Sequence, residues 1–383
     1  MILLNKKGFT MVELLVVMGL TLFVMVASSR VMITMITQFK QQSKIAESGV
    51  ESIVGLEVLR HDLMTAGAGL PTSRLNYTNG VMNDVDWSGF ADYTEATGGL
   101  TTALNDAPNK PPRPALVSSA GTLNNSDYLA VKALNIGREP QCEKFHTLNW
   151  TGAPNATNTW AVGSWNPNLE DTDSVIVMSL RGSNRLVLVP DRSDESKYFT
   201  QKGDLSNFAP TDPNETRYLY GISGNATIRA PFNRADYYIS TARVPRNCAT
   251  GTGVLVKAVM QQSGGTLGPE MPLIDCVADF QVVFGLDTND NGEVNQRTNN
   301  ANGLQVNDYY DQVREITAYI LTHDGGMDRR YEYPNTTVYV GNGAQGRNFD
   351  LTALPGIGDD WKFYRWRLLQ ITVQPLNLRD LGS

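Results

Sequence analysis

The chain has 383 residues, 41% of them hydrophobic, which is enough for a large core in one or two domains. Its net charge of −7, and the absence of a Lys/Arg-rich block beyond Lys6-Lys7, argue against a broad nucleic-acid-binding surface. Charged residues make up only 19% of the chain, while Gly, Asn, Thr and Ser are plentiful. This balance is typical of an extracellular, β-rich surface with long loops.

The first predicted element is an apolar helix with one acidic residue. The stretch from Phe9 to Ser29 would be about 31 Å long as a helix, which matches the ~30 Å hydrocarbon core of a bilayer. Glu13 is the only charge inside it. The lysines at positions 6 and 7 favour a cytoplasmic N-terminus and export of the rest. A plain signal anchor would account for all of this except Glu13.

A carboxylate at the centre of a membrane helix costs about 2.5–3.5 kcal/mol and usually has a partner. Cleavage between Gly8 and Phe9 would create an α-amino group four positions before Glu13. That amine could offset the carboxylate of its own chain or of a neighbouring copy. An ordinary secretory cleavage site after the apolar run is disfavoured, because Arg30 and a second apolar run continue the helix.

The stretch KKGFTMVELLVV resembles the class III leader of type IV prepilins. In that family a prepilin peptidase cuts after a glycine, here Gly8, and methylates the new N-terminal residue, here Phe9. The resemblance also implies that Glu13 pairs with the N-terminal amine of a neighbouring subunit during filament assembly. Residues 1–8 are then a cleaved leader, and residues 9–36 form the transmembrane and filament-core helix.

The helical pattern continues beyond the membrane segment, over residues 37–70. Apolar residues and one glycine recur at steps of three and four, which predicts one packed face: Ile45, Gly49, Ile53, Leu56, Leu59 and Leu63. Charged residues occupy the opposite face. The helix should end near Ala66, because Gly67, Gly69 and Pro71 follow as stop signals. We therefore expect one helix from Phe9 to Ala66, about 87 Å long.

The rest of the chain, residues 71–383, is predicted to be an extracytoplasmic, β-rich head. Residues 72 to about 125 are rich in Gly, Pro, Asn and Thr and are expected to form surface loops with little regular structure. Runs of β-branched and aromatic residues then predict strands of an antiparallel sheet system. These runs cover residues 127–134, 173–180, 184–190, 216–223, 235–242, 253–260, 273–287, 313–324 and 364–376.

The C-terminal half resembles the PilW-type minor pilins, which are related to the J-type pseudopilins of type II secretion. The resemblance covers residues 1–71 and 235–379, and it includes an R-x-D-L-x-x-A-G helix end at positions 60–67. It implies an α+β fold, with a long N-terminal helix packed on an antiparallel β-sheet head with long loops. Residues 72–234 resemble no family and are treated as a variable insert region, where a specialised binding role would lie.

Three cysteines, Cys142, Cys248 and Cys276, all follow the apolar segment. If this part is exported, one disulfide and one remaining thiol are expected. Three buried free thiols are the alternative. Their spacing excludes a zinc ribbon or a thioredoxin-like motif.

The stretch DTNDNGEVN predicts a calcium loop, because Ca²⁺ binds six to eight oxygens and a glycine permits a sharp turn. The predicted ligands are Asp287, Asn289, Asn291 and Glu293. The loop departs from an EF-hand, since Thr298 stands where the last glutamate would be. A bidentate ligand would have to come from elsewhere, such as Asp308 or Asp311. An Asx-rich hairpin turn is the alternative.

The sequence as a whole favours a structural protein over an enzyme, because His61, His146 and His323 share no motif with a nucleophile or a metal ligand. The leading prediction is a minor pilin that takes part in type IV pilus assembly. Its expected partners are a prepilin peptidase, other minor pilins, the major pilin and the bacterial inner membrane, with no nucleic acid. The alternatives are a type II secretion pseudopilin and a pilus-tip adhesin.

Overall fold

A computed structural model describes residues 8, 10–78, 81–85, 94–107, 110–119, 122–150, 160–162, 169–181, 184–188, 199–205, 208, 210, 213–214, 216–225 and 228–378. Most of the predicted leader, the predicted N-terminal residue Phe9 and residues 379–383 lie outside this set. So do several stretches of the 72–234 region, including positions 189–190 of one predicted strand.

The chain begins with one long helix, α1, which spans Met11–Met64. Its first part, Met11–Lys40, is long and apolar enough to cross a membrane, and none of it is buried against the head. The helix ends where Gly67 and Gly69 adopt φ angles of +80° and +63°, a left-handed conformation that favours glycine. The long helix predicted from the sequence is confirmed.

The second part of α1 packs on the head through a face different in detail from the predicted one. Ser52, Leu59 and Leu63 are buried on this face, whereas Ile53 is 62% exposed. The prediction for Ile53 is wrong because repeated steps of four residues, from 45 to 49 to 53, rotate about 40° past a full turn each time. Gly55 also lies on the packed face, against the backbone of Leu273.

The described part of the head consists of β-strands, one short α-helix, several short 3-10 helices and connecting loops. In the first half of the chain the strands are β1 Ser73–Thr78, β2 Val81–Val85, β3 Ala115–Ser118, β4 Tyr128–Ala133, β5 Phe145–Trp150, β6 Trp160–Val162, β7 Ser174–Arg181 and β8 Asn184–Leu188. In the second half they are β9 Thr200–Gln201, β10 Thr216–Ser223, β11 Asn233–Ser240, β12 Gly253–Val259, β13 Met271–Leu286, β14 Gln296–Thr298, β15 Val313–Asp324, β16 Thr337–Val340, β17 Arg347–Asp350 and β18 Arg365–Val373. The short helix α2 spans Val306–Gln312.

Two sheets hold most of these strands. Sheet 2 has the order β18-β15-β13-β12-β11-β4-β3, with β14 added to β13, and α1 packs across β13, β15 and β18. Sheet 1 has the order β2-β1-β8-β7-β10-β5-β6, with β9 added to β7. All pairs in both sheets are antiparallel except β1 with β8. The predicted α+β fold class is confirmed, and each predicted strand run contains a strand.

The largest core lies between α1 and sheet 2. Leu59 and Leu63 of the helix join buried apolar residues of β4, β11, β13 and β15 there. A second core, which includes Leu70, Leu134, Ile176, Met178, Ile222 and Phe232, lies just beyond the end of α1. It joins β7 and β10 of sheet 1 to segments that flank sheet 2. The two sheets therefore share apolar surface at the end of the helix.

In the described parts of residues 72–125, the prediction of surface loops with little regular structure is wrong. This segment contributes β1, β2 and the edge strand β3 of sheet 2. Its residues Glu95, Asp106 and Arg113 are buried, and Lys132 Nζ of β4 lies 2.7 Å from both acids. The segment is buried through charged pairs instead of an alternating apolar pattern. Composition alone therefore misassigned it.

Candidate assembly site at the helix N-terminus

The first turn of α1 contains a reciprocal capping box built from Thr10 and Glu13. The backbone N–H and the hydroxyl of Thr10 both donate to Glu13 Oε2, each at 2.9 Å. The Glu13 N–H donates back to Thr10 Oγ1 at 3.3 Å. Such a box satisfies N–H groups that have no partner within the helix. The T-x-x-E signature at Thr10 to Glu13 is the signal in the sequence for this start of the helix.

The capping box uses only one of the two carboxylate oxygens of Glu13, so the other oxygen can accept a further hydrogen bond. Both hydrogen bonds from Thr10 go to Oε2, and Oε1 has no hydrogen bond within the described part of the chain. The side chain is exposed. Glu13 can therefore keep its capping role and accept a further N–H donor from another chain.

Gly8 is exposed and stands just before this first turn. A Cβ added at Gly8 would meet no atom within 4 Å. Packing within the chain therefore does not require glycine at this position, and the requirement has to come from outside, such as a processing enzyme. Phe9, the predicted residue for cleavage and methylation, lies outside the described residues.

The comparison with protein families matches this same region. The family model for the prokaryotic N-terminal methylation motif covers residues 3–29. This motif indicates a type IV pilin-like or pseudopilin-like protein. The motif implies processing by a prepilin peptidase and assembly with other pilins, and it suggests a structural, non-enzymatic role. No curated protein and no solved structure matches the chain.

Membrane anchoring fits the same stretch of the pilin-like chain. The matched residues 3–29 overlap the membrane-length part of α1, Met11–Lys40. At about 1.5 Å per residue this part is about 45 Å long, close to the ~40–45 Å thickness of a bilayer with its headgroups. The remainder of α1 carries the head.

Asp62 fixes the head to α1 and was missed as a functional residue. Its carboxylate accepts a short hydrogen bond from the Tyr237 hydroxyl and forms a short ion pair with Lys257 Nζ. Burial, and then the negative charge of Asp62, raises the pKa of Tyr237 well above its usual value. The helix and the sheet are therefore joined by a buried polar contact as well as by apolar packing. An acid on the packed face of an amphipathic helix was the available signal.

The three cysteines take two roles in the structure. Cys248 and Cys276 form a disulfide with Cα atoms 4.8 Å apart, which joins the loop before β12 to β13. Cys142 is a free, buried thiol, and burial raises its pKa to about 12. Its Sγ donates to the Ile222 carbonyl at 3.2 Å. A thiol of this kind is unreactive, so Cys142 serves packing.

The predicted calcium loop is held by its own backbone. The buried carboxylate of Asp287 accepts N–H groups from Asn291 at 3.2 Å and Gly292 at 2.8 Å. Arg314 Nε lies 3.4 Å from the same carboxylate. Among the described residues, no group of three His, Cys, Asp or Glu side chains could hold a metal. This geometry favours the Asx-turn alternative, and calcium binding by the loop, including Asn289 and Glu293, stays an untested prediction.

Proposed function

We propose that the protein is a PilW-type minor pilin that takes part in the assembly of a type IV pilus. The observation that carries this proposal is the geometry of Glu13. Its carboxylate stands on the first turn of a membrane-length helix, capped through one oxygen and open at the other. The site follows directly after the glycine at which the motif implies processing.

In the proposed reaction sequence, a prepilin peptidase cleaves between Gly8 and Phe9 and methylates the new amine. Before assembly, the protein is anchored in the inner membrane with its N-terminus on the cytoplasmic side and its head on the opposite side. In a filament the apolar helices pack together without water. An unpaired carboxylate or ammonium is costly there, and the pair of both is favoured. Glu13 Oε1 would then accept the N-terminal amine of a neighbouring minor or major pilin.

The PilW-type assignment is supported by the resemblance of residues 235–379 and by the fold that those residues adopt. The R-x-D-L-x-x-A-G stretch has a structural reason, since Asp62 and Leu63 are both buried against the head. A type II secretion pseudopilin shares the same plan. The partners recovered in the experiment below distinguish the two.

The decisive experiment separates the charge of Glu13 from its capping role. Glu13→Gln keeps an acceptor for the Thr10 N–H but removes the negative charge. Thr10→Ala weakens the cap by about 1 kcal/mol but keeps the charge. Each variant is expressed with a prepilin peptidase and the partner pilins, and cleavage, expression and co-purification with those partners are measured.

The proposal predicts that Glu13→Gln is expressed and cleaved like the wild type but fails to enter the pilus or the minor-pilin complex. Thr10→Ala should be cleaved and should still assemble. Gly8→Ala serves as the processing control and should accumulate uncleaved. Normal assembly of Glu13→Gln would contradict the proposed pairing.

A further inference from the structure

Three loops of the head lie at the end that faces the membrane segment. Leu376 donates its N–H to Met64 O of α1 at 3.0 Å, and Arg367 donates to Ser52 Oγ at 3.1 Å. The chain from β18 onwards therefore runs in the same general direction as α1. Residues that precede Arg365 consequently lie on the side of the head nearest the membrane span.

Further contacts place the other two loops at the same end. Gly325, just after β15, lies against the side chain of Ile45 of α1. Its neighbour Gly326 lies against Asn247, and Gly251 lies against Pro355. We call the loops 241–252, 325–336 and 355–364 the membrane-side loops.

The distance from these loops to the bilayer is short. The membrane-length part of α1 ends at Lys40, and Ile45 follows five residues later, about 7.5 Å along the helix. The Debye length at physiological ionic strength is about 8 Å. Charges on the membrane-side loops are therefore close enough to interact with lipid headgroups.

The membrane-side loops carry cations that have no ion-pair partner among the described residues. Arg243, Arg246, Arg329 and Arg330 are exposed, and Lys362 is half-buried. Of the acids in or next to these loops, Asp328 pairs with Arg365 at 2.7 Å and Asp324 pairs with Arg367 at 2.9 Å. Among the described residues of these loops, the acids without an ion pair are Glu332, Asp359 and Asp360, while the neighbouring Glu270 accepts hydrogen bonds from Tyr238 and Ser240. Together with Arg365, the three loops hold six cations and four acids, a net charge of +2, although the chain carries a net charge of −7.

Two of these cations share one aromatic ring. The Arg329 guanidinium lies 5.9 Å from the centre of the Phe363 ring, and Lys362 Nζ lies 5.4 Å from it. Two like charges around one ring repel each other, and an anion beside them would relieve the repulsion. The half-buried rings of Tyr331 and Trp361 lie in the same loops. Tyr and Trp are enriched at membrane–water interfaces.

We propose that the membrane-side loops bind anionic phospholipid headgroups of the leaflet on the head side of the membrane. The contact holds the head against the bilayer until the subunit leaves for a filament. The inference goes beyond the proposed role in assembly. It depends on the membrane insertion of α1 and not on the identity of the filament.

The test uses the full chain in nanodiscs, as single copies, with either pure phosphatidylcholine or a mixture containing phosphatidylglycerol. Hydrogen–deuterium exchange is measured for peptides from the membrane-side loops and from the α1 segment 11–40. Protection of the α1 segment in both discs reports insertion. The proposal predicts that exchange in the loops is slower with phosphatidylglycerol, and that 1 M NaCl removes the difference, since the Debye length is then about 3 Å.

A triple variant tests the residues. Each cation near an anionic leaflet contributes about a fivefold change in binding, so Arg329→Gln, Arg330→Gln and Lys362→Gln together should abolish the protection. The matched control carries Lys110→Gln, Arg138→Gln and Lys144→Gln. These residues lie beyond the other end of α1, where Leu134 donates its N–H to Ala68 O. The control should behave like the wild type, and far-ultraviolet circular dichroism checks that both variants fold.

Several outcomes would overturn the proposal. Exchange in the loops that is equal in the two lipid mixtures excludes recognition of anionic headgroups. Protection that survives in the triple variant excludes the named cations. Protection that arises only with two chains per disc assigns the surface to a neighbouring copy instead. If the α1 segment showed no protection in either disc, α1 would not be inserted in the membrane. That result would overturn the proposed membrane anchoring and, with it, the lipid contact of the loops.

Discussion

His323 and Asp127 are buried groups whose titrations have opposite effects on stability. His323 Nε2 accepts the N–H of Ala249 at 2.9 Å, and burial lowers the pKa of His323 from 6.5 to about 3. Asp127 Oδ2 accepts the N–H of Val282 at 2.7 Å. Burial raises the pKa of Asp127 from 3.8 to about 7, and the nearby charge of Asp279 adds to the increase.

The direction of each effect follows from which state binds the proton. Below pH 6.5 the unfolded chain protonates His323 and the folded chain does not, so the stability contributed by His323 falls as the pH falls. Between pH 3.8 and about 7 the folded chain keeps a proton on Asp127 that the unfolded chain has lost. Stability contributed by Asp127 is therefore largest at low pH and is lost as the pH rises through about 7.

We predict that Asp127→Asn makes the head more sensitive to acid. Asparagine keeps the acceptor for the Val282 N–H but does not titrate, so the effect of His323 is no longer offset. The free energy of unfolding of the variant should fall by about 2 kcal/mol more than that of the wild type between pH 6.5 and pH 5. Urea denaturation of the head lacking residues 1–36, at the two pH values, measures this.

Asp290→Asn is the control for that measurement, because Asp290 is 97% exposed. It should follow the wild type at both pH values. A pH dependence of Asp127→Asn equal to that of the wild type would show that Asp127 does not titrate as described.

At the scale of elements, the contact between α1 and β13 depends on a glycine. A Cβ at Gly55 would lie 2.0 Å from the backbone carbonyl oxygen of Leu273, so the helix would have to move off the sheet. A Cβ at Gly49, six residues earlier on the same helix, would meet nothing within 4 Å. The two glycines therefore form a matched pair on one helix.

We predict opposite results for alanine at these two positions. Gly55→Ala should destabilise the head by about 1–3 kcal/mol or more, because overpacking forces backbone shifts. Gly49→Ala should be neutral or stabilise it by up to about 1 kcal/mol, because alanine is the better helix former. Thermal unfolding of the head lacking residues 1–36 compares the melting temperatures of both variants with that of the wild type. Equal melting temperatures for both variants would mean that α1 does not pack as described.

The elements that could be predicted are those with a local pattern. The strands β13, β15 and β18 are rich in β-branched and aromatic residues, and the end of α1 is marked by Gly67 and Gly69. The contacts that hold these elements together could not be predicted in the same way. Asp62 meets Tyr237 across a separation of 175 positions, and no local periodicity encodes such a pair. The N-terminal site was predictable because it is local.

At the scale of the whole molecule, a buried network of charges joins the 94–114 segment to sheet 2. Lys132 Nζ lies 2.7 Å from Glu95 Oε2 and from Asp106 Oδ2. Arg234 binds Asp236 at 2.6 Å and Glu95 at 3.2 Å. Arg113 binds Asp106 at 2.7 Å. Each charge in this network therefore has an opposite charge within reach, which a buried charge requires.

The last prediction concerns Lys132, which lies between the two acids of the 94–114 segment. Lys132→Met keeps most of the side-chain volume but leaves Glu95 and Asp106 with one cation fewer. Removing one partner from a buried pair costs about 3–5 kcal/mol, so the head should unfold at much lower urea concentration, in a single transition. The pKa of Asp106 is lower than its usual value. Burial raises this pKa, but the positive charges of Lys132 and then Arg113 lower it by more than burial raises it. Without Lys132 that pKa should rise, and the deficit should shrink as the pH falls.

Lys202→Met provides the matched control. Lys202 pairs with Asp171, whose side chain is 75% exposed, and such surface pairs contribute about 0–1 kcal/mol. Urea titrations at pH 8 and pH 5, followed by circular dichroism, compare both variants with the wild type. If Lys132→Met lost no more stability than Lys202→Met, the 94–114 segment would not be held by charge. The apolar contacts around β3 would then have to account for its burial.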